Sequence, residues 1–66
     1  MEEKVENCVQ TKRKEKGITQ EDMAKAVGVS RQTIIAIEKG NYTPSVLLAL
    51  KLANHFGCPV EDIFKL

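Results

Sequence analysis

The chain has 66 residues, room for one domain, with 42% hydrophobic and 29% charged residues and a formal net charge of +1. That composition is ordinary for a soluble globular domain. No apolar run approaches the ~20 residues that span a bilayer, and MEEKVENCV is too acidic for a signal peptide, so a cytoplasmic protein is expected.

Net charge this close to neutral argues neither for nor against a nucleic-acid partner; its distribution says more. Seven Lys/Arg against four Asp/Glu lie between Lys12 and Lys39, whereas residues 2–6 hold three Glu and one Lys, and the tail carries Glu61 and Asp62. The positive field therefore sits on the middle of the chain, where a phosphate backbone would approach. A domain this small buries only about 60% of the surface of its unfolded chain, so a partner subunit would help it.

Residues 1 to about 4 are expected to fray. A first helix is expected from near Val5 to Lys16, with Val5, Cys8 and Val9 as apolar contacts. Its basic end, Lys12 to Lys16, taken alone is a solvated face. Gly17 reads as its C-terminal cap and Ile18 as a hydrophobic staple for the next helix. Thr19 is an N-cap, with Asp22 three residues on for a capping box. Met23, Ala24 and Val27 recur at helical spacing, and Gly28 stops the helix. Ser30 caps a further helix whose inward pair is Ile34 and Ile37, and Gly40 ends it. Two helices joined by a short glycine turn are the pattern of a helix-turn-helix.

The stretch ITQEDMAKAVGVSRQTIIAIEKG resembles the Cro/cI-like (Xre-type) helix-turn-helix family of transcriptional regulators. The likeness runs on through TPSVLLALKLANHFG and VEDIF, covering roughly Val9 to Phe64. It implies an all-α fold, a compact bundle of five short helices like the lambda-repressor DNA-binding domain, with residues 1–66 as one domain and the helix-turn-helix at 19–40. It also implies that Arg13 pairs with Glu38 beneath the DNA surface, a structural ion pair in which an arginine fork meets a carboxylate. By the same resemblance, Gln20, Lys39 and Asn41 touch DNA phosphates. Glu21 and Asp22 partly oppose the contact at Gln20. The chain departs from the family at Lys12, where a leucine is usual, and at Ile35, where a small polar residue is usual.

In a helix-turn-helix the second helix lies in the major groove. Its outward face here is Arg31, Gln32, Ile35, Ala36 and Lys39. Arg31 can bond a guanine edge and Gln32 an adenine edge, while Ile35, read as pointing to water, can meet a thymine methyl or sugar carbons with Ala36 beside it. Ser30 can cap its helix and touch phosphate at once. Thr33 is expected to pack, its hydroxyl bonding the backbone. Tyr42 can offer its hydroxyl to phosphate or pack on the core.

Ser45 caps a fourth helix, Val46 to Phe56, ended by Gly57. Val46, Ala49, Leu50, Ala53 and Phe56 form its expected inward stripe, with Leu48 and Leu52 beside it and Leu47 facing the Lys51 and Asn54 side. Pro59 opens a short last helix, Val60 to Phe64. Ile63, Phe64 and Leu66 add apolar area at the end of the chain and are the expected dimer surface, as the family resemblance implies.

Cys8 and Cys58 form no CxxC pair, and with His55 the one histidine, no metal site is expected. Both read as small buried or half-buried hydrophobes. A disulfide between them would need the first and last helices to touch, and a reducing cytoplasm argues against it. No nucleophile–base constellation or phosphate-cradling glycine loop supports an enzyme, and no cofactor or small-molecule effector is evident. The reading is a double-stranded DNA-binding transcriptional regulator, a homodimeric repressor on a near-palindromic operator. The alternative is a protein-interaction module or antitoxin that binds a partner protein as well as DNA.

Overall fold

Thr19 and Ser30 each turn a polar side chain onto the helix that follows, and these two caps lay out the middle of the molecule. The computed structural model describes residues 5–66, and the expectation for residues 1–4 lies outside them. In chain order the elements are β1 (Glu6–Asn7), α1 (Val9–Glu15), α2 (Gln20–Val27), α3 (Arg31–Glu38), α4 (Val46–Phe56), a 3-10 turn (Val60–Asp62) and β2 (Phe64–Lys65). Four α-helices and one 3-10 turn thus make the five helical pieces of a lambda-repressor-like bundle.

The Thr19 hydroxyl accepts the Asp22 N–H at 3.0 Å, and the Ser30 hydroxyl accepts the Thr33 N–H at 3.2 Å. Each bond serves an amide of the first helical turn that has no carbonyl four residues earlier within the helix. The glycine exits complete the pattern. Gly28, at φ +77°, reverses the chain after α2 in a conformation that costs a side-chain-bearing residue more. After α3, Gly40 donates to the Ile37 carbonyl at 3.0 Å and Asn41 to the Ala36 carbonyl at 2.9 Å, so the last carbonyls are also used.

Between these ends α2 packs on α3 and α4. Val9, Met23, Ile34, Ile37, Leu52 and Ile63 are fully buried, with Ala24, Val27, Leu48 and Ala53 closing the core around them.

The structure corrects three expectations. The first helix begins at Val9, not near Val5: Cys8 is its N-cap residue, and the Asn7 side chain, one position earlier, accepts the Val9 N–H at 3.2 Å and holds the turn into the helix. The residues before it are extended, and Glu6 and Asn7 pair antiparallel with Lys65 and Phe64. The chain end is correspondingly a 3-10 turn and a strand rather than a helix over Val60 to Phe64. The Cys8 N–H donates to the Ile63 carbonyl at 3.0 Å, so each terminus supplies hydrogen-bond partners for the other. Cys8 and Cys58 are free and half-buried, and the Cys8 thiol donates to the Asp62 carbonyl at 3.0 Å.

The second correction concerns α4. Leu48, Leu52 and Ala53 face the core, whereas Val46 and Leu50, expected inward, are 77% and 54% exposed. A helix with apolar residues at nearly every position near its start fits more than one phase. Contacts with α2 and the 3-10 turn select the Leu48/Leu52 phase.

Third, Ile63 was expected on a dimer surface, yet it is 1% exposed and part of the core of the single chain. The preceding 3-10 turn rotates it inward, onto the cluster that holds Val9 and Leu52. No helix among the described residues is long and apolar enough to cross a membrane.

Ile63→Ala is expected to destabilise the domain by about 2–5 kcal/mol, the cost of a cavity in a packed core. Urea denaturation checks it. The loss should be the same at low and high protein concentration; a loss seen only on dilution would return Ile63 to an interface between subunits.

Candidate nucleic-acid interface

Ile34 and Ile37, each 0% exposed, anchor one face of α3. With 3.6 residues per turn the opposite face must then carry residues 31, 32, 35, 36 and 39. Arg31, Gln32 and Lys39 are exposed, and Ile35 and Ala36 are half-buried. Ile35 therefore does not point fully into water, as its sequence position suggests. It lies against the protein and presents part of its surface. The face has two charged or amide groups at its N-terminal end, a low apolar middle and a cation at its far end.

The side chains around the start of α3 are ordered by one another. The Ser30 hydroxyl accepts from Thr33 N–H and also lies 3.1 Å from the Thr33 hydroxyl. Thr33 is thus bonded to a side chain, where its sequence reading gave its hydroxyl to the backbone. Ser30 remains exposed.

Beneath this face lies a polar network centred on Glu38. Arg13 donates through Nε to Glu38 Oε2 at 2.8 Å and through Nη2 to Oε1 at 3.2 Å. Its Nη1 donates to the Ile18 carbonyl at 2.8 Å, tying down the α1–α2 connection. The Arg13 and Glu38 side chains are only 10% and 3% exposed. The hydrogen bond and charge of Glu38 hold the Arg13 pKa above its already high ordinary value, against the opposing effect of burial. Among the described residues no buried side-chain nitrogen or oxygen lacks a partner.

Gln20 joins this network. Its Nε2 donates to Glu38 Oε1 at 3.1 Å, so one of its two amide hydrogens braces the ion pair. The other is left for an outside acceptor. Gln20 and Arg31 line one shallow cleft with Arg13, Thr19 and Glu21. The structure thereby brings the phosphate candidate at the start of α2 beside the first base-reading candidate of α3. Glu21 on the same cleft weakens its attraction for anions. Lys39 and Asn41 are both exposed where the chain leaves α3.

At the other end of the molecule the expected dimer residues separate. Ile63 is interior, Phe64 is half-buried in the ribbon, and Leu66 is 89% exposed. One residue was not singled out from the sequence at all. Asn7 donates from Nδ2 to the Ile37 carbonyl at 2.8 Å, linking the N-terminal strand to the end of α3. Its signal was present: an asparagine just ahead of an apolar residue is a helix-start cue. The bond to Ile37, thirty positions on, had none.

A helix-turn-helix family model matches residues 9–63 of the chain. The chain is 68% identical over 47 residues to an uncharacterized HTH-type transcriptional regulator of Methanocaldococcus jannaschii, covering 71% of each. It is 48% identical over 60 residues to an uncharacterized HTH-type transcriptional regulator of Bacillus subtilis, covering 91% of each. Among solved structures, a restriction-modification controller protein of Aeromonas hydrophila superposes with a TM-score of 0.76 at 28% identity, over 82% of each chain.

Glu38→Ala would leave Arg13 charged and buried without its carboxylate, and is expected to cost about 3–5 kcal/mol of folding stability by chemical denaturation. The Lys25–Glu21 pair is a control. Its atoms lie 3.7 Å apart with both side chains mostly exposed. Lys25→Ala is expected to change stability by no more than about 0.5 kcal/mol. Equal costs for the two variants would mean that the Glu38 network does not organise the domain.

Proposed function

The chain belongs to the Cro/cI-type helix-turn-helix family and is a DNA-binding transcriptional regulator rather than an enzyme, and on that premise we propose that it is a sequence-specific, homodimeric repressor working in the cytoplasm on a near-palindromic operator. The observation that carries this reading is the division of α3 into two faces. Ile34 and Ile37 are sealed in the core while Arg31 and Gln32 stand free. The helix is braced from beneath, so its outer face can enter a groove without rearrangement.

In the proposed complex the Arg31 guanidinium bonds the two acceptors of a guanine, and the Gln32 amide bonds an adenine. Ile35 and Ala36 lie against a thymine methyl. Ser30, Lys39, Asn41 and the free hydrogen of Gln20 take phosphates and set the register of the helix. Repression follows from occupancy alone, since a protein seated in the major groove excludes other proteins from the same base pairs.

The dimer reading commits to a second copy of this chain on the outward side of α4. Leu47 is 64% exposed there, beside the exposed Val46 and Leu50, although the inner stripe of α4 already fills the core. Phe64, Val60 and Ala49 line a shallow apolar groove next to Val46. Knob and groove occur side by side on one copy, as a self-complementary two-fold interface requires. With Phe64 lining its groove, this surface takes the place of one centred on Ile63. Two recognition helices held by such a dimer would enter major grooves about 34 Å apart.

Random-site selection with the purified protein tests the reading, with a two-fold symmetric motif expected. Arg31→Ala is expected to cost about 1–3 kcal/mol and to relax the preference at one base pair of each half-site. Lys39→Ala should weaken selected and random DNA alike and lower the salt slope by about 0.9. Equal losses on both DNAs for Arg31→Ala would remove it from the base contacts. Sedimentation should show a dimer that Leu50→Glu converts to monomer; a monomeric wild-type protein at high concentration would overturn the two-fold arrangement.

A further inference from the structure

We propose that Asn7 is a positioning residue for DNA reading: through the Ile37 carbonyl it fixes the tilt of α3 against the terminal ribbon, without touching DNA. The inference rests on the DNA-binding reading above.

The Asn7 amide works in two directions. Its oxygen accepts the Val9 N–H at 3.2 Å in the turn ahead of α1, while its nitrogen donates to the Ile37 carbonyl at 2.8 Å. That carbonyl already accepts the Gly40 N–H at 3.0 Å, so Asn7 occupies its second lone pair. The carbonyls at the end of a helix carry its negative dipole charge, which favours a donor there. The next residue, Glu38, is gripped by Arg13. Two successive residues at the end of α3 are therefore held by side chains from two elements, Asn7 of β1 and Arg13 of α1.

These bonds do what the core cannot. Ile34 and Ile37 hold α3 down, but apolar contacts are non-directional and allow it to rock. Hydrogen bonds have a preferred angle and length. Beside the end of α3 lies an open cleft whose lining is mostly polar, with Glu6, Asn7, Glu38, Lys39 and Thr43 around Gly40 and one apolar residue, Val5. The Asn7 bond crosses from the wall of that cleft formed by the strand to α3. α3 has eight residues, about 12 Å at 1.5 Å per residue, so a tilt of about 5° moves its far end by about 1 Å. That displacement takes a base contact out of the range of about 2.7–3.2 Å in which it is strong.

Asn7 itself is held by the ribbon. It pairs with Phe64, and its neighbour Cys8 donates to the Ile63 carbonyl at 3.0 Å. The orientation of the reading helix is thereby set by both chain termini.

Asn7→Ser and Asn7→Asp test the proposal in the full chain. Both keep an oxygen to accept the Val9 N–H. Serine is too short to reach Ile37, and aspartate sets a carboxylate oxygen where the donor stood. The preference for selected over random DNA is expected to fall about two- to tenfold in both variants, the range of one lost hydrogen bond; random-DNA affinity is expected to be unchanged in Asn7→Ser and lower in Asn7→Asp, whose added charge lies beside Lys39. In the free protein, hydrogen exchange of the Gly40 and Asn41 amides is expected to quicken. A wild-type preference ratio in both variants overturns the proposal, as does unchanged exchange at these two amides. A uniform loss on both DNAs in Asn7→Ser also overturns it, since that marks a general structural role. If the wild-type protein selects no sequence, the DNA reading itself fails, and exchange alone then decides whether Asn7 restrains α3. Should Asn7→Asp not fold, the serine variant carries the test.

Discussion

Glu38 is the point on which the architecture turns. One carboxylate takes three donors, two from Arg13 of α1 and one from Gln20 of α2, and it stands on α3. The first three helices, α1, α2 and α3, are therefore fastened at one place. Burying a charged pair is favourable only when its geometry is good and its remaining hydrogen-bonding capacity is met. Here the third guanidinium nitrogen is met by the Ile18 carbonyl, which also fixes the loop leading into the helix-turn-helix.

The rest of the fold supplies what a polar lock cannot, which is apolar area. A chain of 66 residues has little of it to spare. The core draws on every helix: Val9 from α1, Met23 from α2, Ile34 and Ile37 from α3, Leu52 from α4, and Ile63 from the end of the chain. Bringing Ile63 inward places β2 beside β1, and the ribbon follows from that placement.

This economy shapes the surface. α3 gives its inner side to the core and leaves a flat outer side of mixed chemistry, which is the arrangement that groove reading needs. α4 holds more apolar residues than the small core can accept, and the surplus emerges as Leu47, Leu50 and Val46. The charge distribution agrees with the same division. The basic excess lies between Lys12 and Lys39, and five of the nine acidic residues lie outside it, in residues 2–6 and at Glu61 and Asp62.

What the sequence determined by itself is the stretch from Thr19 to Gly40. Its caps, glycine exits and buried positions Met23, Ala24, Val27, Ile34 and Ile37 were all legible, because each rests on residues within one or two helical turns. The Arg13–Glu38 pair was legible only through the family resemblance, since nothing in its spacing announces it. Tertiary structure alone decided the rest. It chose the Leu48/Leu52 phase of α4, because an over-apolar helix is oriented by its neighbours and not by its own pattern. It turned Ile63 inward, made strands of both chain ends, and set Gln20 on Glu38 and Asn7 on Ile37. Those choices are contacts between residues far apart in the chain, and they exist only once the packed core has carried the partners to within hydrogen-bonding distance.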